Sequence, residues 1–169
     1  MSDLAFLSPG AADATAVWRS PLERALAEAP PGIRDISRTG KVEVRGEIAE
    51  LRVEGAEAIW ISAHRALVLC DYDETAAVME KLADGFLAVD VTGALAGLEV
   101  QGAAVMRRLT DLDLDDLPAP GSIAHVQAIV IRDEGETFRF FFPQEYGHYL
   151  GEVVTDLVRG LTPSQERHE

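Results

Sequence analysis

The sequence predicts an α+β fold, a mostly antiparallel sheet with helices on one face, assembled from ferredoxin-like βαββαβ units. Three observations predict it. Short runs that alternate polar and apolar side chains, or are wholly apolar, recur along the chain and are punctuated by Gly and polar turns. These strand-like runs come in adjacent pairs with helical segments between the pairs, a pattern of antiparallel or mixed sheets rather than of a doubly wound parallel one. The 169 residues, 47% hydrophobic and 26% charged, suit a single folded domain.

Residues 1–18 read as a flexible arm, with Ser8-Pro9-Gly10 set among alanines. The arm also holds Leu4, Phe6, Leu7, Val17 and Trp18, too many apolar side chains for a purely solvating tail. It is therefore expected to fold back or to dock on another subunit, with Phe6 and Trp18 as anchors. The domain proper spans 19–161. Ser20-Pro21-Leu22-Glu23 suits a helix start: Ser20 caps, Pro21 takes the first helical position and Glu23 closes a capping box. Leu22, Ala25, Leu26 and Ala29 supply a one-sided stripe that Pro30-Pro31-Gly32 ends.

Strands follow. Lys41-Val42-Glu43-Val44-Arg45 alternates as a half-buried strand does, and Ile48 to Val53, Ala58 to Ile61 and Ala66 to Cys70 continue the series. Asp71 or Asp73 caps a helix that buries Val78, Met79 and Leu82. Phe86 to Val91 and Leu95 to Val100 form a strand pair around Thr92-Gly93. Ala103 to Leu109 is a short helix, and 110–121 an acidic, proline-containing loop. Ile123 to Ile131 and Thr137 to Phe142 make a hairpin across Asp133-Glu134-Gly135. Pro143 opens the approach to a last helix whose inner face holds Val153, Val154, Leu157, Val158 and Leu161. Residues 162–169 read as a frayed tail.

Charge and composition exclude several functions. Fifteen Lys and Arg stand against 29 Asp and Glu, a net charge of −14, the wrong sign for a phosphate backbone or an anionic bilayer. No apolar run is long enough to span a membrane, and the first residues lack the basic segment of a secretory signal, so a cytoplasmic location is expected. The lone Cys70 permits neither an internal disulfide nor a cysteine zinc cage.

The chemical motifs are incomplete. Gly32 to Lys41 ends in Gly-Lys, but a phosphate loop needs Gly at 35 and Ser or Thr at 42, where Asp35 and Val42 stand. Asp111 to Asp116 imitates half of a calcium loop, yet Asp116 occupies the glycine position and Ser122 the bidentate glutamate position. It reads instead as a solvated loop pinned by Leu112 and Leu114. His64, His125, His148 and His168 share no ligand spacing, and Cys70, closing an apolar strand, reads as a small buried side chain. No catalytic or metal residue is assigned. Phe138, Phe140 and Phe142 line one strand face as core, while Phe141 points to the other, toward a partner or a covering helix.

In order and spacing, the segments over roughly 19–161 resemble the sarcosine oxidase gamma subunit family, related to the glycine-cleavage T-protein and its folate-binding domain. The resemblance rests on Arg19-Ser20-Pro21-Leu22, Val42-Glu43-Val44-Arg45-Gly46, Ile59-Trp60-Ile61 and Leu67-Val68-Leu69. It extends through Val89-Asp90-Val91-Thr92, Leu98-Glu99-Val100-Gln101-Gly102, Asp113-Leu114 and Pro120-Gly121. Where the family carries Gly-Pro-Asp after the Trp-Leu pair, this chain has Ser62-Ala63-His64. The resemblance implies a non-catalytic accessory subunit of a heteromeric amine-oxidising flavoprotein. Flavin and tetrahydrofolate would then belong to larger partner subunits, with no cofactor bound by this chain alone. The alternative is a stand-alone folate-binding or aminomethyltransferase-like protein, for which Asp113 is the candidate carboxylate.

Overall fold

A computed structural model describes residues 18–161; Phe6 with the other residues of 1–17, and the expected tail, lie outside them. The chain is α+β with nine strands in two antiparallel sheets and three α-helices among the described residues. The smaller sheet holds β2 (Gly40–Arg45), β3 (Glu57–Ser62), β4 (Arg65–Cys70) and β5 (Leu87–Asp90), in the order β3-β4-β2-β5. The larger holds β1 (Ile33–Asp35), β6 (Leu95–Gln101), β7 (Ala119–Ile123), β8 (Val126–Arg132) and β9 (Thr137–Pro143), in the order β1-β6-β9-β8-β7.

The two sheets share one topology. Numbering β2 to β5 as first to fourth gives the order second, third, first, fourth across the smaller sheet. Counting β6, β8, β9 and β1 the same way reproduces it in the larger, with β7 added outside. This is the strand order of a ferredoxin-like unit. In the larger sheet the fourth place is filled from the start of the chain. In the smaller one the first crossover is a loop, 46–56, rather than a helix.

Three apolar clusters set the layers. Helices α2 (Ala103–Leu109) and α3 (Gly147–Leu161) cover the outer face of the larger sheet, burying Met106, Leu150 and Val154 against Leu98, Val130, Phe138, Phe140 and Phe142. Helix α1 (Thr75–Ala83) covers the outer face of the smaller sheet, setting Val78 and Leu82 on Val42, Val44, Ala66 and Val68. The inner faces meet each other through Ile59, Leu67, Leu69, Ile131 and Phe141. Strands β4, β8 and β9 thus send alternate residues to a helix layer and to the other sheet.

Several sequence expectations are corrected here. Residues 21–28 are consecutive turns, not a regular helix: one bond of helical span, Leu26 N to Leu22 O at 2.9 Å, sits among shorter turns. Pro21 and Pro30 bracket too few residues for a self-sustaining helix. Ser20 does accept from Leu22 N at 3.1 Å, but its hydroxyl donates to Asp35. The run 48–53 is loop, because Ile48 and Leu51 bury at a spacing of three across a turn instead of alternating. Neither Asp71 nor Asp73 caps α1; a 3-10 turn, Tyr72–Glu74, leads into it, and Thr75 donates to Tyr72 O at 2.8 Å.

Strands β5 and β6 exist as expected but do not pair. The chain crosses from one sheet to the other at 91–94, where Thr92 Oγ1 accepts from Lys41 N at 2.9 Å and Val91 N donates to Lys41 O at 2.9 Å. The strand expected over 123–131 is mostly β8, while the end of the expected 110–121 loop is itself a strand, β7, which runs to Ile123 and is joined to β8 by a turn at Ala124 and His125. Both have left-handed backbone, φ 45° and 69°, without a glycine to announce it.

Candidate functional site

The inner faces of the two sheets are in contact at one end and diverge at the other, leaving a cleft of about 230 Å³. Its walls are Ile61 and Val91 from the smaller sheet and the crossover, and Leu95, Ile129, Phe141 and Pro143 from the larger. Lys41, two residues before the cleft-lining Glu43 on β2, is fully buried although its place in an alternating strand predicts an outward, solvated side chain. The alternation does turn it away from α1, but that side is covered by the second sheet. Lys41 Nζ donates to Ser37 O at 2.8 Å and Thr39 O at 2.6 Å and lies 5.8 Å from the Phe141 ring centroid. Burial pulls its pKa down to about 8, an effect that the nearby Asp90 and Asp35 only partly offset.

The cleft rim is charged. Glu43 accepts from Arg45 Nε and from Arg65, each at 2.7 Å. Burial pushes the Glu43 carboxyl up, but the two guanidinium groups outweigh it and hold the carboxyl below its ordinary range. Two cations sharing one carboxylate leave this rim locally positive in a chain that is acidic overall. Apolar walls beside a cationic rim suit an apolar group that carries an anionic neighbour.

On the far side of the seam, Arg139 of β9 reaches Glu57 of β3 with two bonds, 2.9 and 3.0 Å, and Asp133 with two more of 2.6 Å. Burial opposes its charge, but Asp133 and Glu57 dominate and raise the Arg139 pKa above its ordinary value.

The residues singled out in the sequence are scattered. Phe141 turns to the opposite face from Phe138, Phe140 and Phe142, where at 1% exposure it is covered by the second sheet and forms part of the cleft wall. Trp18 is 38% exposed and packs against Tyr72 with ring centroids 5.6 Å apart and planes inclined by 60°, and Arg38 lies 5.2 Å from the centre of the Tyr72 ring. Asp113 is exposed and turned into its own loop, accepting from Asp115 N at 3.0 Å. Leu112 and Leu114 pin that loop as expected, Leu114 buried and Leu112 packed against the core. Cys70 is buried with its thiol raised by burial, its sulfur 3.9 Å from Thr75 Oγ1. No group of three potential metal ligands occurs among the described residues. Lys41, Glu43, Arg65 and Arg139 were not singled out. The one usable signal was that Lys41 is one of only two lysines in the sequence.

No protein-family model matches the sequence, and no curated protein matches it. The structure does find a counterpart. A chain of heterotetrameric sarcosine oxidase from Corynebacterium sp. U-96 superposes with a TM-score of 0.73, covering 90% of this chain and 100% of its own. This chain has that fold. At 14% identity the likeness is one of fold. The fold agrees with the one that the family resemblance read from segment order implied. Regulatory subunits of aspartate kinase from Thermus flavus and Thermus thermophilus reach TM-scores of only 0.47 and 0.45. Identity to them is 13% and 12%, over 78% and 75% of this chain and 99% and 97% of theirs. Similarity at that level carries no argument. No helix of the described residues is long and apolar enough to cross a membrane.

Proposed function

We propose that this chain is a non-catalytic accessory subunit, of the gamma type, in a heteromeric sarcosine oxidase or a related amine-oxidising flavoprotein complex of the cytoplasm. The observation that carries the reading is the match to a whole chain of a heterotetrameric oxidase, so that the fold corresponds to one separate subunit of such an assembly. The use of the charged side chains supports it. Lys41 and Arg139, which reach between the sheets, are taken up by backbone carbonyls and carboxylates of their own chain. Flavin and folate would then be held by larger partner subunits.

Purification of the native, full-length chain from its own cells tests this. The expected result is co-purification with larger subunits that carry flavin absorbance, at fixed stoichiometry. A clean monomer with no flavoprotein attached sinks the reading. Titration of the isolated chain with tetrahydrofolate tests the stand-alone alternative: no heat of binding is expected, and saturable micromolar binding lost in Asp113→Ala would reverse the assignment.

A further inference from the structure

The two sheets have four edges, and three are blunted. Strand β1 is three residues long, and its Arg34 is tied back to Glu99 on β6. Strand β7 carries Pro120, and β3 breaks register between Trp60 and Ser62, its Glu57 being held by Arg139. Short length, proline, a bulge and charge are the devices by which edge strands avoid pairing with another chain. Strand β5, Leu87-Ala88-Val89-Asp90, is only one residue longer than β1 and ends on Asp90, but it has no proline or bulge, carries apolar side chains at Leu87 and Val89 and pairs only with β2. Leu87 and Val89 are 63% and 49% exposed.

Register fixes what this edge offers. Val91 N bonds to Lys41 O, and Val89 and Leu87 lie opposite Glu43 and Arg45 two and four residues on. By the alternation of antiparallel ladders, the amides of Leu87, Val89 and Val91 face β2. The N–H and C=O groups of Ala88 and Asp90 therefore face away from it, toward the open edge. Leu87 and Val89 project on the cleft side, continuing its apolar surface toward the rim where Arg45 and Arg65 share Glu43.

From these features we infer that β5 is a docking edge, extended by a strand from a partner subunit of the complex. That segment is apolar at alternate positions, packing beside Leu87 and Val89, and carries an Asp or Glu within reach of Arg45. Main-chain bonds to Ala88 and Asp90 supply the attachment, and the alternate side chains supply the selectivity. A second copy of this chain is disfavoured as occupant, since pairing two β5 edges apposes two chains of net charge −14. The inference rests on the accessory-subunit reading and deepens it.

The test compares full-length wild type with Leu87→Lys/Val89→Lys, both produced in the native cells, and follows amide hydrogen exchange in the free and assembled wild type. Both positions are exposed, so the variant is expected to melt with the wild type while recovering at least tenfold less flavin-bearing large subunit. The amides of Ala88 and Asp90 are expected to exchange fast in the free chain and slowly in the complex. If wild type recovers no large subunit, the accessory reading falls and this one with it. If the double variant assembles as well as wild type, or Ala88 and Asp90 still exchange fast in the complex, only the docking edge falls. Slow exchange in the free chain also overturns it. Slow exchange released by deleting residues 2–17 would make the chain's own arm the occupant, and slow exchange that tracks dimerisation in sedimentation would make it a second copy.

Discussion

Arg139 and Glu57 join the two sheets across their seam, the guanidinium of β9 giving two near-parallel bonds of 2.9 and 3.0 Å to the carboxylate of β3. Glu57 is half-exposed and the Arg139 side chain mostly buried, so the two ends of the contact differ in what they lose when cut.

Arg139→Met leaves Asp133 and Glu57 facing each other without a cation. Breaking a wholly buried pair costs about 3–5 kcal/mol, and an exposed one below about 1, so this partly exposed cluster is expected to lose about 1–3 kcal/mol. Glu57→Gln leaves Asp133 in place and is expected to lose less. Urea unfolding of both variants decides it, and equal losses would show that Asp133 does not share the load.

Lys41 sets a pH dependence. Its folded pKa, about 8, lies below the ordinary 10.5, so between those values the unfolded chain binds more protons than the folded one. Stability contributed through this group therefore rises with pH across that window, by on the order of 3 kcal/mol if the shift is fully expressed. Other groups also titrate there, so the measurement is a difference. Wild type minus Lys41→Met is expected to gain unfolding free energy from pH 8 to 10.5, and a flat difference would place the lysine pKa near its ordinary value.

Gly97 lies opposite Phe141 in the β6–β9 ladder, and a Cβ there would stand 2.8 Å from the Phe141 ring and 3.0 Å from Ile36. Gly97→Ala is expected to cost about 1–3 kcal/mol by overpacking the seam. Pairing it with Phe141→Leu should restore part of the loss in thermal melts; additive losses would put the strain elsewhere.

Ala124 and His125 hold left-handed backbone that Asn-Gly adopts with less strain. Ala124→Asn/His125→Gly is expected to stabilise the protein by about 1 kcal/mol, raising the melting temperature by a few degrees. A fall would mean that the Ala124 methyl, packed at the margin of the main core, matters more than the turn.

The sequence made most elements of the fold legible, because β2, β9 and α3 bury the apolar side that their periods predict, and β4 is a continuous apolar run buried from Ala66 to Cys70. What it hid has physical causes. Phe86 to Val91 and Leu95 to Val100 look like a hairpin because nothing local distinguishes a turn from a passage between sheets. The Thr92–Lys41 bonds that commit the chain to passing are long-range. The β7–β8 turn lacked its glycine. Lys41 and Arg139 sat at polar positions of alternating strands, and only a second sheet over that face turns a polar position into a buried one. The cleft was unreadable for the same reason, being made by two sheets where one was expected.

The shared strand order has a consequence for how the chain is made. A ribosome releases residues in sequence, and all four strands of the smaller sheet lie within 40–90, with α1 between them. Strand β1 emerges earlier but must wait for β6 before the first rung of the larger sheet can close, and β6 gains its second neighbour, β9, only near the end of the chain. Local pairings close sooner than distant ones. The smaller sheet is thus complete while the larger is still one unpaired strand, and it supplies the apolar wall on which the rest of the nascent chain condenses.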